Sequence, residues 1–138
     1  MSLEKFFDPE SVAIVGASQT QGKVGNELLR NIINGGYEGR IFPVNPKAEE
    51  IEGLKCYPDL KSIGQNPDMV IVIVPAKIVP KVIEECSKVK TRAVVIITAG
   101  FKEVGDEGKK LEKEVLRIAR RANIRIIGPN CLGVISPS

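Results

Sequence analysis

The chain has 138 residues, of which 43% are apolar, 27% charged and 4% aromatic, with no histidine and no tryptophan. This is one domain of ordinary globular composition, which excludes an intrinsically disordered chain, histidine-dependent catalysis or zinc ligation, and the aromatic platforms of a single-strand nucleic-acid binder. A net charge of +3 is too small for a dedicated DNA binder, yet it suits a small anionic ligand.

The charged start MSLEKFFDPE carries no signal-peptide apolar segment. Val12-Ala13-Ile14-Val15 is an apolar run that ends at Gly16 and reads as a strand. From Val24, apolar residues recur at Leu28, Leu29, Ile32 and Ile33, a helical stripe that stops at Gly35-Gly36. Ile41–Val44 is a second short strand, and Leu54–Tyr57 is a third, small one. Met69–Val74 reads as a buried strand stopped by Pro75. Val79, Val82, Ile83 and Cys86 follow at helical spacing, with Pro80 tolerable in the first turn. Ala93–Ile97 is another strand. Leu111, Val115, Leu116, Ala119 and Ala122 mark one face of a long charged helix, whose interleaved acids and bases form a solvated surface. Ile124–Ile127 is the last strand, ended by Gly128-Pro129.

Strands alternating with helices imply crossover connections and a parallel sheet. Near-continuous apolar strands agree, because such a sheet is covered on both faces; isoleucine and valine together account for 32 residues. The expected fold is α/β, a single doubly wound Rossmann-like domain with a mainly parallel sheet. With the Leu54 strand at its edge, the order is 3-2-1-4-5-6. The chain finishes at Ser136-Pro137-Ser138, directly after strand material, which reads as a cut before a following domain. The longest apolar runs are five or six residues, far short of a membrane span. The three cysteines, Cys56, Cys86 and Cys131, are odd in number and lack CxxC spacing, so neither a zinc site nor a redox pair is expected. A reduced, cytoplasmic compartment fits. Cys86 lies on an apolar helix face and is read as core.

In such sheets the ligand lies beyond the carboxyl ends of the strands, near the switch in strand order. Five loops meet there. The first, Gly16-Ala17-Ser18-Gln19 through Gly22-Lys23 to Gly25, joins a strand to a helix, where backbone N–H groups and the helix N-terminus bind phosphate. Its glycines at 16, 22 and 25 do not make GxGxxG, and five residues between Gly16 and Gly22 do not make a Walker A loop. The second strand ends Val44-Asn45-Pro46-Lys47, a cation where an NAD-binding domain usually places an acid for the ribose hydroxyls. A phosphorylated ribose, as in NADP or coenzyme A, satisfies Lys47 equally. Val74-Pro75-Ala76 turns the chain over the groove, Thr98-Ala99-Gly100 leaves room for a ligand chain against the backbone, and Asn130-Cys131 lies in the loop that follows the last strand. Sequence assigns no lowered pKa to Cys131.

Together these loops match a known pattern. GAS followed by GKVGNELLRNI, then GYEGRIFPVNPK, VIVIVPA, ITAGFKEVGDEG and IRIIGPNCLGVISP, resemble the CoA-binding domain family. They are similar to the N-terminal CoA-binding domain of ADP-forming acyl-CoA (acetyl-CoA) synthetases, relatives of the succinyl-CoA synthetase α subunit. The resemblance runs from Phe7 to Pro137. It implies that residues 1–138 form a CoA-binding domain, the N-terminal part of a longer synthetase chain. It also implies that Gly16, Ala17, Ser18 and Gln19 line the phosphate turn with Lys23, and that Val44, Asn45, Pro46 and Lys47 hold the adenosine end. Val74, Pro75 and Ala76 flank the nucleotide and pantetheine, Thr98, Ala99 and Gly100 border the pantetheine arm, and Asn130 and Cys131 lie near the thiol.

In the family, acyl-CoA, ADP and phosphate are converted reversibly to acid, CoA and ATP through a phosphohistidine in a following domain and an ATP-grasp domain or subunit. This chain, lacking histidine, would bind coenzyme A as part of an acid–CoA ligase and complete no catalysis alone. The remaining synthetase domains would be its partners, with no nucleic acid and no membrane involved; oligomeric state stays open. A free-standing CoA-binding regulatory protein is the first alternative, and an NAD(P)-binding oxidoreductase domain the second.

Overall fold

The computed structural model describes residues 9–91, 93–97, 105–128 and 133–135, with backbone alone at 105, 128 and 133–135. Strand β1 (Ser11–Val15) is buried at all five positions. Helix α1 (Val24–Asn34) follows, then β2 (Arg40–Val44), the short strands β3 (Glu50–Ile51) and β4 (Leu54–Lys55), and β5 (Met69–Val72). Helix α2 (Val79–Lys88), β6 (Ala93–Ile96), α3 (Gly105–Ala122), β7 (Arg125–Gly128) and β8 (Gly133–Ile135) complete it. The main sheet has the order β2-β1-β5-β6-β7-β8. All its pairs are parallel except β7–β8. The α/β, doubly wound and mainly parallel reading agrees with this.

The strand near Leu54 exists, but its expected place at the edge of the main sheet is corrected. Glu52 and Gly53 both have positive φ, 51° and 81°, the pattern of a two-residue hairpin turn. The turn folds β4 back antiparallel onto β3 in a separate two-stranded sheet. Tyr57, two residues beyond β4, meets β2 in an isolated parallel bridge to Val44. β8, antiparallel to β7 and directly before Ser136, is the strand material at the end of the sequence and adds one strand beyond Ile124–Ile127.

Alternation along each strand splits the core into two layers. Ala13, Val15, Phe42, Val44, Val70, Val72, Val94, Ile96 and Ile126 face α2 and α3. Val12, Ile14 and Ile71 face α1, with Ile51 and Cys56 from the hairpin segment filling in beside them. In α2 the expected Val79, Val82, Ile83 and Cys86 are all buried. In α1 the stripe is narrower than expected. Leu29 is buried, whereas Val24 and Ile33 are exposed and the buried places beside Leu29 go to Gly25 and Asn26.

Helix α3 is tied by Arg121 to Glu84 of α2 at 2.6 Å and by Glu107 to Lys77, in the turn before α2, at 3.7 Å, pairs worth little individually at an exposed surface. Glu85 behaves differently. Burial first, and the nearby Asp59 carboxylate second, push its pKa above the ordinary value of 4.5, against smaller opposing effects of the Leu60 amide, Lys81 and Lys88. A carboxyl group raised in the folded state favours folding when protonated, and that stabilisation is lost as pH rises through the folded pKa. Glu85→Gln is therefore expected to stabilise the fold at pH 7, by less than ~1 kcal/mol because the group is partly solvated, and so to raise the melting temperature. Near pH 3, where the carboxyl is protonated in both states, the gain should vanish. Melting curves at the two pH values check it; an equal gain at both would contradict the assignment.

Candidate functional site

The chain passes from β1 outward to β2, then crosses to β5 on the other side of β1. The carboxyl ends of β1, β2 and β5 thus form the crevice at which strand order switches. Main-chain bonds hold its floor: the Gly16 amide donates to the Val44 carbonyl at 3.1 Å, and that of Ile73 to the Val15 carbonyl at 2.8 Å.

Gly16 has φ +100°, and a Cβ there would lie 2.0 Å from the Ile73 carbonyl oxygen. Gly25, at the start of α1, packs so closely that its own Cβ would meet the Gly16 carbonyl oxygen at 2.1 Å. The end of β5, the turn and the helix are therefore in backbone contact, a stacking that only glycine permits at both positions. This is the use to which the widely spaced glycines are put, although they miss the dinucleotide fingerprint.

The turn's polar groups divide by direction. The Ala17 carbonyl accepts from Asn45 Nδ2 at 2.9 Å, and the Ser18 carbonyl from Asn26 Nδ2 at 2.8 Å. Gln19 Nε2 donates to the Glu50 carbonyl at 2.7 Å, and Ser18 Oγ accepts from the Thr20 amide at 3.0 Å. Both carbonyls are tied back into the protein, whereas the amides of Ala17, Ser18 and Gln19 donate to no acceptor among the described residues. Helix α1 follows with Lys23 as its N-cap residue, which makes no side-chain cap hydrogen bond, and Glu27 is the acidic residue of its first turn, so the leading amides keep the positive dipole end without a side-chain cap. Such an arrangement of donors accepts an oxyanion.

Asn45 is engaged on every side. Its backbone N–H donates to the Tyr57 carbonyl at 2.9 Å, its Nδ2 to Ala17, and its Oδ1 accepts from the Lys47 amide at 2.8 Å. It joins the β1 and β2 loops and turns the chain so that Pro46 and Lys47 stand exposed beyond it. Cys56 lies beneath, its thiol donating towards the carbonyls of Asn45 (3.6 Å) and Tyr57 (3.8 Å). Burial outweighs both contacts and raises its pKa, which favours the protonated, packed thiol. Cys86 is wholly buried and likewise raised by desolvation. Among the described residues no cluster of acids or cysteines could hold a metal ion, and no helix is long and apolar enough to cross a membrane.

Of the residues expected at the site, Gly16, Ser18, Gln19, Lys23, Asn45, Pro46, Lys47, Val74 and Pro75 are partly or fully exposed at this end of the sheet. Ala17, Val44 and Ala76 are there too, but their side chains lie in the core, so they offer backbone only. Thr98, Ala99, Gly100, Asn130 and Cys131 lie outside the described residues. Sequence reasoning missed Asn26 and Glu52. Asn26 is fully buried, its Nδ2 also donates to Glu52 Oε2 at 3.0 Å, and its Oδ1 has no partner among the described residues. An unpaired buried acceptor of this kind costs about 1–3 kcal/mol. The available signal was a polar residue three positions before Leu29, on the helix face otherwise read as apolar.

A family model described as "CoA binding domain" matches residues 10–137. The chain is 47% identical over 134 residues to "Acetate--CoA ligase [ADP-forming] I" of Archaeoglobus fulgidus, covering 97% of this chain and 19% of that protein. It is also 47% identical over 139 residues to the α subunit of "Acetate--CoA ligase [ADP-forming] I" of Pyrococcus furiosus, covering 98% and 30%. Among solved structures, the apo form of the "dinucleotide forming Acetyl-coenzyme A synthetase 1" of Ca. Korarchaeum cryptofilum superposes with a TM-score of 0.87 at 41% identity. That match covers 93% of this chain and 28% of the other. The chain thus spans less than a third of the length of these relatives.

Proposed function

We propose, on the premise that the chain belongs to the CoA binding domain family, that it binds coenzyme A at the carboxyl rim of β1, β2 and β5 as the CoA-binding domain of an ADP-forming acyl-CoA (acetyl-CoA) synthetase. The observation that carries this reading is the turn after β1, with its carbonyls tied inward and the amides of Ala17, Ser18 and Gln19 left to donate. These donors suit a pyrophosphate, and Lys47 beyond β2 suits the phosphate on the ribose. Asn45 couples the two contacts, because it joins both loops. By the family resemblance, Val74, Pro75 and Ala76 flank the nucleotide and pantetheine, and Thr98, Ala99, Gly100, Asn130 and Cys131 are assigned to the pantetheine arm and thiol.

In this reading the domain orients CoA and contributes no group to phosphoryl transfer, consistent with a chain that contains no histidine. The acyl–phosphate chemistry belongs to the remaining synthetase domains, including an ATP-grasp unit, which are its partners. A reducing cytoplasm suits the buried, unpaired thiols of Cys56 and Cys86.

A ligand that binds only the folded state stabilises it by RT ln(1 + [L]/Kd), about 2.7 kcal/mol at a hundredfold excess over Kd. CoA is therefore expected to raise the melting temperature of the purified chain by several degrees. Calorimetric titration with CoA, dephospho-CoA, NADP and ATP side by side ranks the ligands, with CoA expected first. No shift at millimolar CoA, or preference for NADP, would overturn the reading.

A further inference from the structure

We propose that Asn26 is a positioning residue for the turn after β1, and that the hairpin carboxylate of Glu52 holds it in place, so that ligand affinity at the turn is set in part from the β3–β4 hairpin. The inference rests on the reading of that turn as the site of the CoA pyrophosphate.

Asn26 donates through the same nitrogen to the Ser18 carbonyl and to Glu52 Oε2, residues 8 and 26 positions away. Turning the amide over would set its oxygen against two acceptors, so the orientation has one solution. That solution leaves Oδ1 buried with no donor among the described residues, a cost that an apolar side chain would avoid. The amide is thus poorly explained as packing and well explained by what it donates to. Its pull on the Ser18 carbonyl turns that peptide inward, which sends the next amide, that of Gln19, outward.

Glu52 is the second sign. It holds a left-handed backbone conformation, φ 51°, where glycine or asparagine is the easier residue. From there its other oxygen lies 3.9 Å from Arg30 of α1. The hairpin grips the same turn again where Glu50 accepts from Gln19. Two successive residues of the turn are therefore tied to one hairpin, Gln19 directly and Ser18 through Asn26, across sequence separations that no local signal spans.

Glu52→Ala removes the acceptor, whereas Glu52→Gln keeps a carbonyl oxygen for Asn26 and removes only the charge. By calorimetry well below the melting temperature, Glu52→Ala should weaken CoA and dephospho-CoA by the same factor, about three- to tenfold for a lost net hydrogen bond. Glu52→Gln should stay within about twofold of the parent protein. Asn26→Leu, where it folds, should match or exceed the alanine variant. The equal factor matters, because the ribose phosphate that distinguishes the two ligands lies at the other loop. Nitrogen-15 relaxation supplies a readout independent of binding. The order parameters of the Ser18 and Gln19 amides should fall in Glu52→Ala and recover in Glu52→Gln. Full affinity and unchanged order parameters in Glu52→Ala, or glutamine behaving like alanine, would overturn the proposal. Should the parent protein fail to bind CoA, the functional reading falls and the order parameters still decide the latch.

Discussion

Gly16→Ala should destabilise the chain by about 3–5 kcal/mol, the sum of a strained left-handed backbone and a forced overlap in a packed region. A methyl group there would lie 2.0 Å from the Ile73 carbonyl oxygen while φ stays at +100°. Neither atom moves cheaply. Gly16 donates to Val44, Ile73 donates to Val15, and Gly25 packs against the Gly16 carbonyl. Relief requires the turn to lift off β5, which would also scatter the amides of Ala17 and Ser18, so CoA binding should be lost even where folding survives. Gly22→Ala is the control. Gly22 has φ +90° with nothing within 4 Å of a Cβ, so only the backbone strain remains, about 1–2 kcal/mol. Urea unfolding of the two variants measures the difference. Similar losses in both would show that the contact with Ile73 is soft.

Lys47→Glu should weaken CoA about a hundredfold while leaving dephospho-CoA within about twofold, each tenfold step corresponding to about 1.4 kcal/mol. Lys47→Ala should fall between, near tenfold for CoA. Lys47 is exposed, so its attraction for a ribose phosphate is screened by salt. The preference of the parent protein for CoA over dephospho-CoA should therefore shrink as ionic strength rises, and that of Lys47→Ala should not. The backbone of Lys47 is anchored by its amide to Asn45 Oδ1, which keeps the loop in place when the side chain is changed. Calorimetry with the two ligands at two salt concentrations checks it. Equal loss for both ligands would remove the ribose phosphate from Lys47 and leave the pyrophosphate turn untouched.

Much of this architecture follows from short-range pattern. The apolar runs at Val12, Ile41, Met69 and Ala93 became β1, β2, β5 and β6, because a strand covered on both faces has no polar side to display. Glycine and proline at their ends marked where the chain turns, and the loops after β1, β2 and β5 do converge at one end of the sheet. Lys47 left NADP and CoA open, and the resemblance of those loops to the CoA-binding family pointed to CoA. Tertiary structure decided the rest. Leu54 and its neighbours have strand character in either setting; the paired positive φ angles of Glu52 and Gly53 sent them into a hairpin instead of the sheet edge. The hairpin in turn brought Glu50 within 2.7 Å of Gln19 and Glu52 within 3.0 Å of Asn26. Composition and periodicity report which residues leave water. They are silent on which acceptor a side-chain amide will find across 26 or 31 residues of chain, because that partner is chosen by the packing of the completed fold.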